Sequence, residues 1–137
     1  MHRIGLWCSI KSAKPNDFNF PYTAISPTLG KPVTYTEDEL WNEIDRILAE
    51  DPERKFSLGQ QCYYNLIHCA NPAYFLTDEV IIALEEYMTM KRFNIPFASN
   101  IDDAVYHRLV IFSAIDEEYN ACIKLEQDEQ VHNRNKN

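Results

Sequence analysis

The stretch Arg54–Met90, RKFSLGQQCYYNLIHCANPAYFLTDEVIIALEEYMTM, decides most of the expected fold. Two helical patterns meet in it across the corner Asn71-Pro72, where a helix has to stop. Ser57 and Gln60 fit a capping box at the start of the first helix, although Asp51-Pro52-Glu53 could start a helix earlier. Thr77 caps the second helix. The first helix places Leu58, Cys62, Leu66 and Cys69 on one face, and the second places Val80, Ile81, Leu84, Tyr87 and Met88 towards the core. The stretch therefore predicts two amphipathic helices.

A further helix is predicted on each side of this stretch. Thr36-Glu37-Asp38-Glu39 is a capping box, and the helix that follows it ends near Glu50 because Asp51-Pro52 prevents its continuation. Its apolar face consists of Leu40, Trp41, Ile44, Ile47 and Leu48. Ser99 or Asn100 is expected to cap a long last helix. Its apolar face is Ile101, Val105, Leu109, Phe112, Ile115, Tyr119 and Cys122.

The N-terminal part does not show a helical period. Residues 3–10 alternate between apolar and polar, which predicts a short strand. Residues 11–35 contain four prolines and read as an irregular arm anchored by Phe18, Phe20, Tyr22 and Ile25, with 31–34 as a hairpin partner of the first strand. The predicted fold is mainly α: a single four-helix-bundle-like domain with an N-terminal strand or hairpin and a Pro-rich wrapping arm (1–35), a helical body (36–125) and a fraying polar tail (126–137).

Composition limits the classes of protein to which the chain can belong. It has 137 residues, of which 45% are hydrophobic and 12% aromatic, so it can bury a core and is not expected to be disordered. The longest apolar run in a helical pattern, Val80–Leu84, is too short for a membrane span. The start lacks the features of a signal peptide, and the four cysteines have no framework spacing. These features predict a cytoplasmic protein with reduced thiols.

The net charge of −8 is largely explained by helix capping. Seven carboxylates fall in predicted first turns, where they complement the helix dipole: Glu37, Asp38, Glu39, Asp78, Glu79, Asp102 and Asp103. Once those are set aside, the remaining acids nearly balance the 13 Lys and Arg residues. No stripe of Lys and Arg is present to neutralise phosphates, so direct nucleic-acid binding is not expected.

Candidate chemical groups are few, and the sequence predicts no catalytic residue, metal or cofactor. Cys62, His68 and Cys69 lie close in sequence, and His107 can join them only through the fold. Zinc sites use paired spacings such as Cys-x2-Cys, and Cys62 and Cys69 would lie about 10 Å apart along a helix. Buried apolar thiols are the main interpretation, and a small enzyme with a Cys/His pair is the alternative.

Three other features also have structural interpretations. Gly59 is a single glycine rather than a phosphate loop, and it indicates close backbone packing. The pairs Tyr63-Tyr64 and Tyr74-Phe75 are candidate stacking platforms for bases, although helical spacing places Tyr63 at the margin of the core. The run Asp116-Glu117-Glu118 is typical of a solvated helix face rather than a pair of catalytic carboxylates.

Alternating helix directions would gather negative charge at one end of the bundle. The helices capped by Thr36 and Thr77 would begin at this end, and the last helix would finish there. It would hold Glu37, Asp38, Glu39, Asp78 and Glu79, with Glu126, Asp128 and Glu129 nearby. At the other end, Glu50, Asp51, Glu53, Asp102 and Asp103 would be offset by Arg54, Lys55, Lys91 and Arg92. The predicted partner-binding residues are Glu37, Asp38, Glu39, Trp41, Asp78 and Glu79. This end, with Tyr35 and Trp41 at its edge, would dock onto a basic patch of another protein. Alternatively, these charges only cap the helices and keep the protein soluble.

Residues 56–87, FSLGQQCYYNLIHCANPAYFLTDEVIIALEEY, resemble a pattern in small uncharacterised proteins of phages and their bacterial hosts. The shared features are an aliphatic-Gly-Gln step, an Asn-Leu pair and an aromatic residue before an Asp-Glu helix start. This resemblance implies a phage or mobile-element setting and assigns no site. The resulting hypothesis is a non-catalytic inhibitor or regulator of a host or defence protein. The alternatives are the small enzyme and a homo-oligomeric phage structural component.

Overall fold

The computed structural model describes residues 1–100, 102 and 104–136. Within them the chain forms α1 (His2–Ile10), β1 (Tyr22–Ile25), β2 (Pro32–Tyr35), α2 (Glu37–Ala49), α3 (Leu58–Leu66), a 3₁₀ helix (Pro72–Phe75), α4 (Asp78–Phe93) and α5 (Tyr106–Lys136). The prediction of a mainly helical protein with a short hairpin is confirmed. The four-helix bundle is not confirmed, because an additional helix, α1, lies inside the helical body.

The N-terminal segment is a helix, so the predicted strand at residues 3–10 is wrong. Residues 4–8 are all buried, with Leu6 and Trp7 almost completely shielded from solvent. A helix that is buried on all sides does not need an amphipathic stripe, and its sequence therefore lacks the usual helical period. The alternation that suggested a strand reflects only four apolar residues in a short run.

Helix α1 separates two groups of core residues. Its Ile4, Trp7 and Cys8 belong to a core shared with the hairpin, α2 and α3, whereas Leu6 belongs to a core shared with α4 and α5. Gly5 permits this central position. A Cβ atom there would lie 2.6 Å from Val80 Cγ1 and 2.7 Å from the Phe75 carbonyl oxygen, closer than side chains can approach.

The hairpin lies entirely within the predicted arm. β1 pairs antiparallel with β2, with Tyr22 opposite Tyr35 and Ile25 opposite Pro32. The predicted pairing of 31–34 with an N-terminal strand is therefore wrong, because α1 has already used its backbone groups in helical hydrogen bonds. Gly30 adopts a positive φ of 69° between the strands, a conformation that glycine adopts without strain.

The predicted helix starts around the central stretch are confirmed. Ser57 and Thr77 accept hydrogen bonds from the backbone N–H groups of Gln60 and Val80, at 3.2 and 3.3 Å. α2 ends at Ala49, as the following Asp51-Pro52 predicts. α3 ends earlier than predicted, at Leu66, so Cys69 lies in the turn that follows. In α4, Ile81 is 38% exposed rather than in the core.

The last helix differs from the prediction at both ends. α5 begins at Tyr106, so neither Ser99 nor Asn100 caps it, and Val105 is 65% exposed. Ile101 and Asp103 lie outside the described residues. The polar tail belongs to α5, which continues to Lys136, and residues 126–136 are exposed. No helix in the described part of the chain has both the length and the apolar character needed to cross a membrane.

Helices α4 and α5 run in the same direction. Glu79 and His107 line one cleft near the start of both helices. About two to three turns further along, the Tyr87 hydroxyl donates to Asp116 Oδ1 at 2.5 Å, and Lys91 Nζ lies 4.9 Å from the centre of the Tyr119 ring. The prediction of strictly alternating helices is therefore wrong. The connection 94–105 is long enough to lead the chain back along α4 before α5 begins.

Candidate partner-binding surface

The first turns of α2 and α4 carry the predicted acidic residues. Thr36 accepts a hydrogen bond from the Glu39 N–H at 3.2 Å, which confirms the predicted cap of α2. The Glu39 carboxylate binds Arg46 at 3.0 Å instead of completing the capping box. Like Glu39, the acids of both first turns complement the positive end of a helix dipole.

A hydrogen-bonded aromatic pair links the start of α2 to the 3₁₀ helix that precedes α4. The Tyr74 hydroxyl donates to Glu37 Oε1 at 2.6 Å and accepts from Trp41 Nε1 at 3.0 Å. Tyr74 lies only three residues before the Thr77 cap, and three residues span at most about 10 Å. The start of α2 is therefore tied to the segment that leads into α4. A local sequence pattern cannot predict the contact between Tyr74 and Glu37, because these residues are 37 positions apart.

Aromatic rings from the arm continue this surface. Phe20 contacts Tyr74 edge to face at 5.2 Å between ring centres, and Tyr22 at 5.5 Å. Phe18 stacks on Tyr22 at 4.8 Å, and the Tyr22 hydroxyl donates to the Cys69 carbonyl at 2.6 Å. These contacts confirm the aromatic anchoring of the arm. Ile25, also predicted as an anchor, is 59% exposed.

The six predicted partner-binding residues are not equally accessible. Four are exposed, namely Glu37, Asp38, Asp78 and Glu79, and we refer to these four as the acidic surface. Glu39 and Trp41 are half-buried, and each already has a partner inside the protein, Arg46 and Tyr74 respectively. The acidic surface therefore has four exposed carboxylates, of which Glu37 also accepts a hydrogen bond from Tyr74. Trp41 lies at its edge, whereas Tyr35, also predicted there, is completely buried.

The end of α5 does not join the acidic surface. His107 lies beside Glu79, and Glu126 follows it 19 residues later, about 28 Å along a helix. The predicted contribution of Glu126, Asp128 and Glu129 is therefore wrong, because α5 runs parallel to α4 and away from this surface. Asp102 precedes α5, and Asp103 lies outside the described residues.

All four thiols are buried in the core. Burial raises the pKa of Cys62 and Cys69 to about 11, and that of Cys8 and Cys122 to about 12. The imidazoles of His68 and His107 are exposed, and among the residues described no hydrogen bond joins a thiol to an imidazole. No group of three or more His, Cys, Asp or Glu side chains in that part of the chain is arranged to hold a metal ion. The thiols thus carry little thiolate at neutral pH.

We expect the native thiols to react slowly with a thiol reagent. A pKa two units above the ordinary value of 9.0 lowers the thiolate fraction, and hence the rate, about 100-fold for Cys62 and Cys69. The measurement compares the rate of reaction of the native and the urea-unfolded protein at one pH, and mass spectrometry identifies the modified residues. A native thiol that reacts as fast as in the unfolded chain would contradict this expectation and support the Cys/His enzyme.

The two most buried charged groups were not predicted. Glu118 and Glu43 are completely shielded from solvent. Glu118 Oε1 accepts hydrogen bonds from Trp7 Nε1 at 3.0 Å and Ser57 Oγ at 2.5 Å, whereas Oε2 accepts from Arg3 at 2.8 Å and the Gly59 N–H at 3.2 Å. The predicted solvated face is therefore wrong for Glu118.

Spacing gave a signal for Glu118. It lies three residues after Ile115 and four before Cys122, on the apolar face of α5. The predicted close packing at Gly59 is confirmed, because a Cβ there would lie 2.6 Å from Glu118 Oε1 and 2.8 Å from the Arg3 carbonyl oxygen. The hydrogen-bonding capacity of the Glu118 carboxylate is used within the protein, so its arrangement suits a structural role.

Glu43 connects α2 to the hairpin. Its carboxylate accepts hydrogen bonds from Ser26, Thr28 and Tyr35, the last at 2.6 Å, and Arg46 Nε lies 3.1 Å from it. Burial by itself raises the pKa of this carboxyl, but these four donors outweigh burial and lower the pKa below its ordinary value of 4.5. The charged form of Glu43 therefore holds the hairpin against the helical body.

Comparison of the chain with protein-family models, with curated proteins and with solved structures gives no significant match.

Proposed function

We propose that the protein is a non-catalytic module that binds a basic segment of another protein through the acidic surface. The observation that carries this proposal is the Tyr74 hydrogen bond to Glu37, which ties the acidic first turn of α2 to the 3₁₀ helix directly before the acidic first turn of α4. Fixed carboxylates at the surface attract a basic partner over about a Debye length and favour its correct orientation.

The aromatic border of the surface supports the same function. Phe20 is 36% exposed and packs on Tyr74, which lies directly beside Glu37. Aromatic residues supply much of the binding energy in protein interfaces, whereas exposed charges mainly determine the association rate and specificity. A partner segment with Lys or Arg next to an apolar residue matches both components. The resemblance to phage proteins suggests that this partner is a host or defence protein, with inhibition or regulation as the outcome.

Reversing three charges of the acidic surface should weaken partner binding at least about tenfold. The variant combines Asp38→Lys, Asp78→Lys and Glu79→Lys, and it retains Glu37 and Glu39 because they bind Tyr74 and Arg46. The partner is first identified by co-purification from a bacterial lysate. Its dissociation constant is then measured for the wild type and the variant at low and high salt.

The matched control reverses three exposed acids on the distal part of α5, with Glu126→Lys, Asp128→Lys and Glu129→Lys. Both variants have the same net charge, so only the position of the changes differs. We expect the control to change the dissociation constant less than about threefold. Equal losses in both variants, or no loss in either, would refute specific docking at the acidic surface.

A further inference from the structure

A second surface feature lies at the opposite end of α2. A cleft of about 350 Å³ separates the end of that helix from α3, and its lining includes Glu50, Asp51, Phe56, Gln61 and Tyr64. This volume lies in the range of small-ligand sites, about 300–1,000 Å³. Glu50 follows Asp38 by 12 residues, about 18 Å along the helix, so the cleft is distinct from the acidic surface.

Two aromatic side chains form the apolar part of the cleft. Phe56 is 55% exposed and Tyr64 is 43% exposed, although large aromatic side chains are usually at least partly buried in the protein core. The Tyr64 ring packs edge to face against Trp7 and Tyr63, with ring centres 6.0 and 5.1 Å away. Because buried rings hold it in place, Tyr64 presents a fixed aromatic surface to a ligand.

The polar groups of the cleft are mainly acceptors. Within the described residues, neither Glu50 nor Asp51 forms an ion pair with Lys or Arg. Asp51 is held by the Lys55 N–H at 2.9 Å. Gln61 donates its Nε2 to the Ile47 carbonyl at 2.7 Å, which defines the orientation of the amide. Gln61 Oε1 is buried and has no protein hydrogen-bond donor among the described residues.

We propose that this cleft binds a guanidinium group. A guanidinium is planar, so it stacks on the rings of Phe56 and Tyr64, and its positive charge complements Glu50 and Asp51. It carries five N–H donors, which suit a site that offers two carboxylates. An ammonium ion has the charge but lacks the planar surface, and a neutral urea group has the planar surface but lacks the charge.

The test titrates the full-length protein with N-acetyl-arginine amide and follows the NMR signals of the Phe56 and Tyr64 rings. We expect a dissociation constant on the order of 1 mM, as is usual for one small charged group. N-acetyl-citrulline amide is the matched control ligand, because it has the same shape without the charge. It should bind at least about tenfold more weakly. Equal binding of both ligands, or no shift of either ring, would overturn the proposal.

Two variants test the lining residues. Glu50→Gln and Tyr64→Leu should each weaken binding of N-acetyl-arginine amide about three- to fivefold, since one removes a carboxylate and the other an aromatic face. Glu53→Gln is the matched control, because Glu53 is an exposed acid of the same connection that does not line the cleft. An equal effect of all three variants would contradict the assigned lining. The NMR spectrum of each variant verifies its fold.

The source of the guanidinium is distinguished by two further ligands. Tighter binding of a Gly-Arg-Gly peptide than of free arginine assigns the site to an arginine of a polypeptide, and the reverse order assigns it to a free metabolite. Both results require that the cleft recognises a guanidinium. The triple charge reversal of the acidic surface should leave this binding unchanged, so failure of the cleft proposal and failure of the proposed function can be told apart.

Discussion

Replacing Glu118 by alanine should lower the free energy of unfolding by about 3–5 kcal/mol, among the largest effects of any substitution in this protein. The side chain is completely buried, and its removal leaves Trp7 Nε1, Ser57 Oγ and the Gly59 N–H without an acceptor. It also leaves the partly buried Arg3 guanidinium without one of its two carboxylates. Urea unfolding followed by circular dichroism measures the change.

Glu117→Ala is the matched control for this prediction. Glu117 is the adjacent residue and binds the same Arg3 nitrogen at the same distance, 2.8 Å, but its side chain is 59% exposed. An exposed ion pair contributes about 0–1 kcal/mol, so this substitution should have a small effect. If Glu118→Ala and Glu117→Ala cost the same, burial of the carboxylate would not be the source of its importance.

Replacing Glu43 by alanine should have the second-largest effect, also about 3–5 kcal/mol, because four donors lose a buried acceptor. Its specific consequence is loosening of the hairpin, since Ser26, Thr28 and Tyr35 all bind to this one carboxylate. Amide hydrogen exchange should therefore accelerate in β1 and β2 more than in α4. Glu39→Ala, which removes a partly exposed carboxylate from the same Arg46, is the control and should leave hairpin exchange nearly unchanged.

The pH dependence of stability provides a second measure of Glu43. Its pKa is lowered in the folded protein, so its contribution is fully present above the unfolded value near 4.5 and is lost as the pH falls through the folded pKa. The difference in unfolding free energy between the wild type and Glu43→Gln should therefore shrink on acidification. A difference that stays constant below pH 4.5 would show that the Glu43 charge does not stabilise the fold.

Part of the site could be predicted because capping is local. The Thr36 and Thr77 caps and the acidic first turns follow from four consecutive residues each, and the structure has them at the predicted positions. The accessibility of Glu39 could not be predicted in the same way, since its partner Arg46 lies two turns further along α2. Glu126 was expected near the acidic surface, and this prediction was wrong for another reason. It assumed a direction for α5, and no local sequence pattern encodes the direction of a helix relative to its neighbours.

The cleft beside α3 had only a weak signal in the sequence. Tyr63-Tyr64 was recognised as a candidate stacking pair, and the structure buries Tyr63 and leaves Tyr64 43% exposed. Phe56 gave no signal, because it precedes a helix and belongs to no periodic pattern. Glu50 and Asp51 were interpreted only as part of a charge balance. Their common location depends on how α2 and α3 pack together.

The sequence alone determined where α2, α3 and α4 begin, because a capping side chain acts on backbone groups within four residues of itself. It also determined the mainly helical class through the apolar periods of these segments. Only the tertiary structure decided that residues 2–10 form a central helix, that α4 and α5 run parallel, and that Glu118 and Glu43 are buried. Each of these outcomes rests on contacts between residues distant in the chain, such as Trp7 with Glu118, and such contacts have no counterpart in a local pattern.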